Sequence, residues 1–337
     1  MQIFENHFLK DLNTFGISVY AREYTRLSFE NEARQLLDHP AFKMGRHFVL
    51  GGGSNILFTD DYDGLVVHID LKGKDVVRET GEKVFLKVQA GENWDDLVDY
   101  CVGKGWGGLE NLSLIPGQAG SSPIQNIGAY GVELKEHFHS LEAIHKKNKT
   151  FVTFSKEACS FGYRDSFFKN SGHDEYIILS VTFVLDKEPK IRKHYGALAA
   201  ELIDHGIDKP DIADVRDAVC RIRRRKLPDP LVLGNAGSFF KNPVVPYTTY
   251  SRLKKEHPDL VAYPDEAGFK LAAGWLIDRA GWKGFREGDA GVHEHQALVL
   301  VNHGDASGKD LLKLASAIQQ DVIEKYDVKL QAEVNII

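Results

Sequence analysis

The sequence predicts a globular protein of two or three domains, each mixing helices with strands. Three observations carry this. The chain has 337 residues, and domains average about 150 residues each. Its composition, 43% hydrophobic and 27% charged, is that of a chain able to bury proper cores. Strand-like segments and amphipathic helices follow one another along its whole length, broken by glycine loops, without internal repeats or low-complexity tracts.

Charge and cysteine usage narrow the class. A net charge of −6 argues against a nucleic-acid scaffold, which needs a clear basic excess to neutralise phosphates. The three cysteines, Cys101, Cys159 and Cys220, are widely spaced and odd in number, as expected in a reducing compartment. The first residues include acids and lack the apolar run of a signal peptide. No stretch approaches the roughly 18 apolar residues of a membrane span. The expectation is a cytoplasmic monomer without nucleic-acid or membrane partners.

Taken in order, residues 29–38 read as a short surface helix. HFVL (47–50) is a strand that runs into Gly51-Gly52-Gly53-Ser54-Asn55 and then ILF (56–58). This loop fails the dinucleotide fingerprint, because its third glycine position is Ile56 and a strand follows where a helix should. What remains is a strand–turn–strand whose exposed amides suit phosphate; an ordinary glycine turn suits the residues equally well. Residues 65–70 and 84–89 alternate as strands. Asn93 caps a helix over 94–104. Residues 140–154 form a hairpin and 175–185 a buried strand. Helices are expected at 213–226, stopped before Pro228, and at 268–281, with Gly281 past its end. The basic run Arg221, Arg223, Arg224, Arg225 and Lys226 reads mainly as cations at a helix C-terminus. A strand follows at 296–302. Ser307 and Asp310 make a capping box for a helix with Leu311, Leu314, Ile318, Val322 and Ile323 on one face. Residues 328–337 close the chain as a strand.

The stretch with the most unusual composition is 108–133, GLENLSLIPGQAGSSPIQNIGAYGVE. It holds five glycines, two prolines and Ser121-Ser122, with no Lys or Arg between Lys104 and Lys135. A loop of this kind can bring its backbone close to a ligand and turn amides toward it, forming an anion nest without cationic side chains. It reads as a cradle for a pyrophosphate or a flavin ring, with Gly120, Ser121, Ser122, Gln125, Ile127 and Gly128 at its centre; a Pro/Gly-rich connector is the alternative.

Three reactive groups sit outside any core pattern. Arg164 lies among the aromatics of FGYRDSFFK (161–169), where a guanidinium wants an anionic partner. Ser238 follows the flexible GNAG of GNAGSFFKNP (234–243). Glu333 sits on the apolar terminal segment, where a carboxylate needs a partner or a raised pKa. Spacing alone favours plainer readings: an Arg164–Asp165 pair, a turn serine and an exposed strand glutamate. A metal site has little support, since His293 and His295 lack accompanying ligands at usual spacing. Ser238 does not stand in the GxSxG elbow of a hydrolase.

Together the segments NTFGI (13–17), LGGGSNILF (50–58), 108–136, FGYRDSFFK, KLPDP (226–230), GNAGSFFKNPVV (234–245), AAGWLIDRAG (272–281), HQALVLVN (295–302) and the terminal EV closely resemble the UDP-N-acetylenolpyruvoylglucosamine reductase family. HYGAL around Tyr195 resembles the tyrosine-bearing loop of its type I branch. The resemblance implies an α+β fold of three domains. Two form a vanillyl-alcohol-oxidase-type FAD unit (1–70, joined by 328–337, and 71–227), and an α/β domain (228–327) covers substrate. FAD is expected to be non-covalent, since neither His nor Cys falls between 105 and 136.

The implied reaction passes hydride from NADPH to FAD, and from flavin N5 to the enolpyruvyl ether of UDP-N-acetylglucosamine. Arg164 and Glu333 would then stabilise the enediolate, and Ser238 would donate the proton. Lys226, Asn242, Tyr195 and Gln296 match residues that contact the pyrophosphate and carboxylate side of the substrate; Tyr130 and Tyr263 match those near the uridine. The sequence departs from the family at Gly52, where many relatives have Glu, and at Asn335, where some have Arg. A flavin oxidase on the same scaffold, or a nucleotide-sugar sensor without turnover, are the rival readings.

Overall fold

The structure is a computed structural model that describes residues 1–337. It divides into two compact units. The first comprises residues 1–7, 21–52 and 63–225, and the second 8–20, 53–62 and 226–337. Segments 8–20 and 53–62, which the sequence reading groups with the first 70 residues, therefore pack with the C-terminal part of the chain.

Two sheets, of four and five strands, build the first unit together with the short pair Gly128–Ala129 and Val132–Glu133. The smaller has the strand order Ile3–Phe8, Tyr20–Leu27, Tyr62–Ile69, His47–Leu50. Its last two strands run parallel, with Val49 opposite Val67. The larger orders Phe151–Ser155, Phe138–His145, Tyr176–Asp186, Lys83–Gln89 and Lys74–Glu79 in an antiparallel ladder. Tyr176–Asp186 is central and buried along most of its length, as its unbroken apolar run requires. Leu65, Val67 and Ile69 pack with Ile144, Ile177 and Leu179 in one apolar cluster. On the other side, the helix Trp94–Gly103 buries Trp94, Leu97, Val98 and Cys101. Asn93 Oδ1 caps that helix by accepting from the amides of Asp95 and Asp96. The helices Gly196–Asp204 and Ile212–Lys226 pack on each other through Leu198, Leu202, Val215 and Val219, with Tyr130 against their core.

In the second unit, Gly234–Ser238, Val299–Asn302, Ala290–Val292 and Arg286–Glu287 form one sheet in that order. A second sheet orders Val244–Val245, Gly268–Leu271 and Ala262–Asp265. The helix Gly308–Tyr326 has the expected capping box, with Ser307 and Asp310 bonding each other's amides. The NTFGI motif folds around Asn13, whose side chain donates to the carbonyls of Leu9 and Ile17 and accepts from the amide of Ile17.

Two elements differ from the sequence reading. The helix expected over 268–281 is a strand, Gly268–Leu271, followed by a shorter helix, Ala273–Arg279. The expected terminal strand 328–337 is mostly irregular. Only Asn335–Ile336 pairs, in parallel with Ile56–Leu57, while Ala332 makes an isolated bridge to Phe240. No helix is long and apolar enough to cross a membrane.

Candidate active site

In the first unit, Gly51 and Gly52 lie against the turn at 117–121. A Cβ at Gly52 would stand 3.0 Å from Gly117 Cα, and one at Gly51 would stand 3.3 Å from Gln118 Oε1. No backbone carbonyl accepts from the amides of Gly51 and Gly52. Beside them, Gln118 donates its amide to Ile69 O at 3.1 Å, and its Oε1 is buried without a partner. Unspent donors next to an orphaned acceptor are what a diphosphate-bearing dinucleotide requires, so these residues fit FAD.

The longer glycine loop behaves differently from the expectation of inward-turned amides. Gly120 donates to Ala90 O, and Ser121, Ser122, Ile124, Asn126 and Ile127 donate to carbonyls within 118–123. Ser121 Oγ donates to Gln118 O and Ser122 Oγ to Ala119 O. Successive tight turns consume these donors, because a buried loop must satisfy its own backbone.

Arg164 is carried by a second loop zipped onto this one. Asn126 Nδ2 donates to Gly162 O at 2.9 Å, and Ser166 Oγ donates to Ile124 O at 2.6 Å. Lys169 Nζ lies 3.4 Å from Gln125 Oε1. Arg164 has a left-handed backbone, φ +51, and its Nη2 donates to Gly128 O at 2.7 Å. Asp165 is bonded through both oxygens by Asn170 Nδ2.

Tyr130 and Tyr195 meet edge to face, with ring centroids 5.7 Å apart. Burial raises the Tyr130 hydroxyl above its ordinary value, and Arg223, which hydrogen-bonds it, opposes the rise. The basic run stands at the C-terminal end of the helix Ile212–Lys226, and three of its residues have named partners. Arg223 Nε donates to Leu114 O, and Arg221 and Arg225 grip the buried Glu201. One turn earlier on the same helix, Arg216 holds Asp95 in a two-pronged pair at 2.7 and 3.1 Å.

In the second unit, Ser238 ends a strand that pairs with Val299–Asn302 and is bulged between Asn235 and Ser238. Asn235 shapes the bulge: its Oδ1 accepts from Gly237 N, and its Nδ2 donates to Leu233 O. The next residue, Phe239, accepts at its carbonyl from the amide of Glu333 at 2.8 Å. The terminal segment thereby brings Glu333 alongside Ser238–Phe239. Asn55 Nδ2 donates to Glu333 O, and Asn335 Nδ2 donates to Asn55 O, so Asn335 ties Asn55 to the terminal segment. Gly53 has φ +63, and a Cβ there would stand 2.0 Å from Leu12 O; only glycine fits. Ser54 follows it in the same turn.

The remaining substrate candidates of this unit sit on different elements. Asn242 Oδ1 accepts from Ala273 N at 2.9 Å, capping the helix Ala273–Arg279. Gln296 Oε1 faces Leu298 N and lies near Gly274. Tyr263 is half-exposed opposite Lys270, and Lys226 is exposed at the end of its helix. Sequence reasoning missed Gln118 and Asn111. Each is one polar residue in a polar loop, and only the orphaned buried oxygen reveals it.

Known proteins resemble the chain along its whole length. An FAD binding domain model matches residues 31–154, and the model of the C-terminal domain of UDP-N-acetylenolpyruvoylglucosamine reductase matches 229–337. The UDP-N-acetylenolpyruvoylglucosamine reductase of Flavobacterium johnsoniae is 46% identical, covering 100% of both chains. That of Pseudomonas savastanoi pv. phaseolicola is 48% identical over 97% of both. The crystal structure of the corresponding reductase from Thermus caldophilus superimposes with a TM-score of 0.70 at 25% identity, covering 99% of this chain and 98% of that one.

Proposed function

Because the chain belongs to the UDP-N-acetylenolpyruvoylglucosamine reductase family, whose members are FAD-dependent oxidoreductases, we propose that it reduces UDP-N-acetylglucosamine enolpyruvate to UDP-N-acetylmuramate with electrons from NADPH. In this reading it is a cytoplasmic monomer of peptidoglycan precursor synthesis. Residues 1–70 with 328–337, and 71–227, form its cofactor subdomains, and 228–327 its substrate domain.

Bound FAD supplies a two-electron relay between NADPH and the enolpyruvyl double bond. The chain's own residues do the rest. The amides of Gly51, Gly52 and Gly53 would hold the cofactor's diphosphate, and Gln118 would accept from one of its donors. Once the methylene carbon is reduced, negative charge gathers at the neighbouring carbon and spreads into its carboxylate. The guanidinium of Arg164, set in place by Gly128 O, stabilises that charge, and Glu333, when protonated, adds a donor. Ser238 gives its proton to the carbon and is reprotonated by solvent. Lys226, Asn242, Tyr195 and Gln296 bind the diphosphate and carboxylate side; Tyr130 and Tyr263 flank the uridine.

The observation that supports this reading is the bond from Glu333 N to Phe239 O, which joins the backbone that carries Glu333 to the one that carries Ser238. Ser238→Ala tests it. Flavin reduction by NADPH should stay within about twofold of wild type, while reoxidation by the enolpyruvyl sugar slows about 10³-fold or more, roughly 4 kcal/mol of barrier. An unchanged second half-reaction in stopped flow removes Ser238 from the chemistry.

A further inference from the structure

Asn111 is 1% exposed and belongs to a short helical turn, Glu110–Leu112. Its Nδ2 donates two hydrogen bonds, each 3.0 Å long, to Tyr130 O and to Arg192 O. The two carbonyls fix the orientation of the amide, since an oxygen in the place of that nitrogen would face two acceptors. Its Oδ1 is left buried with no partner, a costly state for an acceptor. The residue is thus kept for its two donors.

Those two donors converge on one local feature. Tyr130 holds a left-handed backbone, φ +46, in which a bulky side chain is rarely found. Arg192 stands three residues before Tyr195, in an irregular segment between the strand ending at Asp186 and the helix starting at Gly196. The two tyrosine rings meet edge to face, and the Tyr195 ring lies 3.9 Å from where a Cβ on Gly131 would stand. The platform beneath is rigid: Glu110 accepts from Gly108 N at 2.6 Å, and Ser113 Oγ donates to Glu110 O at 2.6 Å. A single buried amide therefore sets the backbone that precedes Tyr195 and the backbone of Tyr130.

We propose that Asn111 is a positioning residue for substrate binding, which fixes the separation of Tyr130 and Tyr195 without touching substrate. This rests on the reading of both tyrosines as substrate contacts. An isosteric Asn111→Asp replaces the donors by a carboxylate that repels both carbonyls when ionised and can donate to only one of them when protonated. Its effect must therefore grow as pH rises through the titration of the new carboxyl.

The test is calorimetric titration of oxidised, FAD-loaded enzyme with UDP-N-acetylglucosamine enolpyruvate from pH 5.5 to 8.5, each variant being compared with wild type at the same pH. The expected result is affinity at least about tenfold weaker at the alkaline end, recovering toward wild type at the acid end, with NADPH-driven flavin reduction within about threefold throughout. Should the aspartate variant not fold, Asn111→Ser, which keeps one donor and adds no charge, is expected to bind about three- to tenfold more weakly. Wild-type affinity in the variant that folds overturns the proposal. So does a loss that does not change with pH in the aspartate variant, since a merely structural lesion behaves in that way. Failure of the wild-type enzyme to bind this nucleotide sugar at all overturns the underlying functional reading instead.

Discussion

Arg164 and Tyr130 both hold left-handed backbones, φ +51 and +46, conformations that cost energy for side chains of their size and persist where the surroundings over-determine them. Here the surroundings are visible: Asn126 and Ser166 lock the Arg164 loop, and Asn111 locks Tyr130. At this scale the blocks FGYRDSFFK and NAGSFFKNP single out Arg164 and Ser238 as candidates. The sequence could not name Asn111 or Gln118, whose roles follow from partners distant in the chain. Nor could it weigh Gly52. In this fold a Cβ there meets the backbone of Gly117 at 3.0 Å, tighter than ordinary contact. Gly52→Ala should push the two glycine loops apart and weaken FAD binding about tenfold, ~1.4 kcal/mol, as measured by flavin fluorescence on titration of the apoprotein. Unchanged affinity would show that the loops yield freely.

The elements that sequence reasoning placed correctly are those with a local signal: the Asn93 cap, the Ser307–Asp310 box and the unbroken apolar run of Tyr176–Asp186. Those it misplaced depend on distant pairing. Residues 268–271 read as the start of a helix, yet they hydrogen-bond to Ala262–Asp265 and Val244–Val245 on either side, a choice that short apolar runs leave open. The tail buries Val328, Leu330 and Val334 in strand-like alternation, but its partners are two separate segments, so no continuous ladder forms.

An ionic group joins elements in the first unit. Asp174 hydrogen-bonds Lys146 and His47, and Lys146 Nζ lies 3.1 Å from His47 Nε2. Burial raises the Asp174 carboxyl, and the bonds from His47 and Lys146 outweigh it, holding it down at about 2. A carboxyl depressed below its unfolded value stabilises the fold above that value and loses the contribution as pH falls through the folded one. Asp174→Asn should thus cost about 1 kcal/mol at pH 7, a figure discounted because the side chain is about half exposed. The difference from wild type should vanish between roughly pH 4 and 2 in urea denaturation. A gap that persists at pH 2 would assign the loss to packing.

At the scale of the whole molecule, the order of motifs from 13 to 334 was legible because the family's blocks span nearly the entire chain. The division into compact units was not. Segments 8–20 and 53–62 join the C-terminal part through bonds such as Asn235 N to Thr14 O, Asn302 Nδ2 to Phe15 O and Thr59 N to Ile337 O. These are long-range contacts without local signature. The central claim concerns electron flow from a nucleotide donor through FAD to an enolpyruvyl sugar. Its most direct test is an anaerobic visible spectrum of the FAD-loaded protein, with NADPH added first and UDP-N-acetylglucosamine enolpyruvate second. The flavin band should bleach with the first addition and return with the second, in proportion to sugar added. Bleaching without return would contradict the assigned substrate, and a protein that takes up no FAD would contradict the reading from its first glycine loop onward.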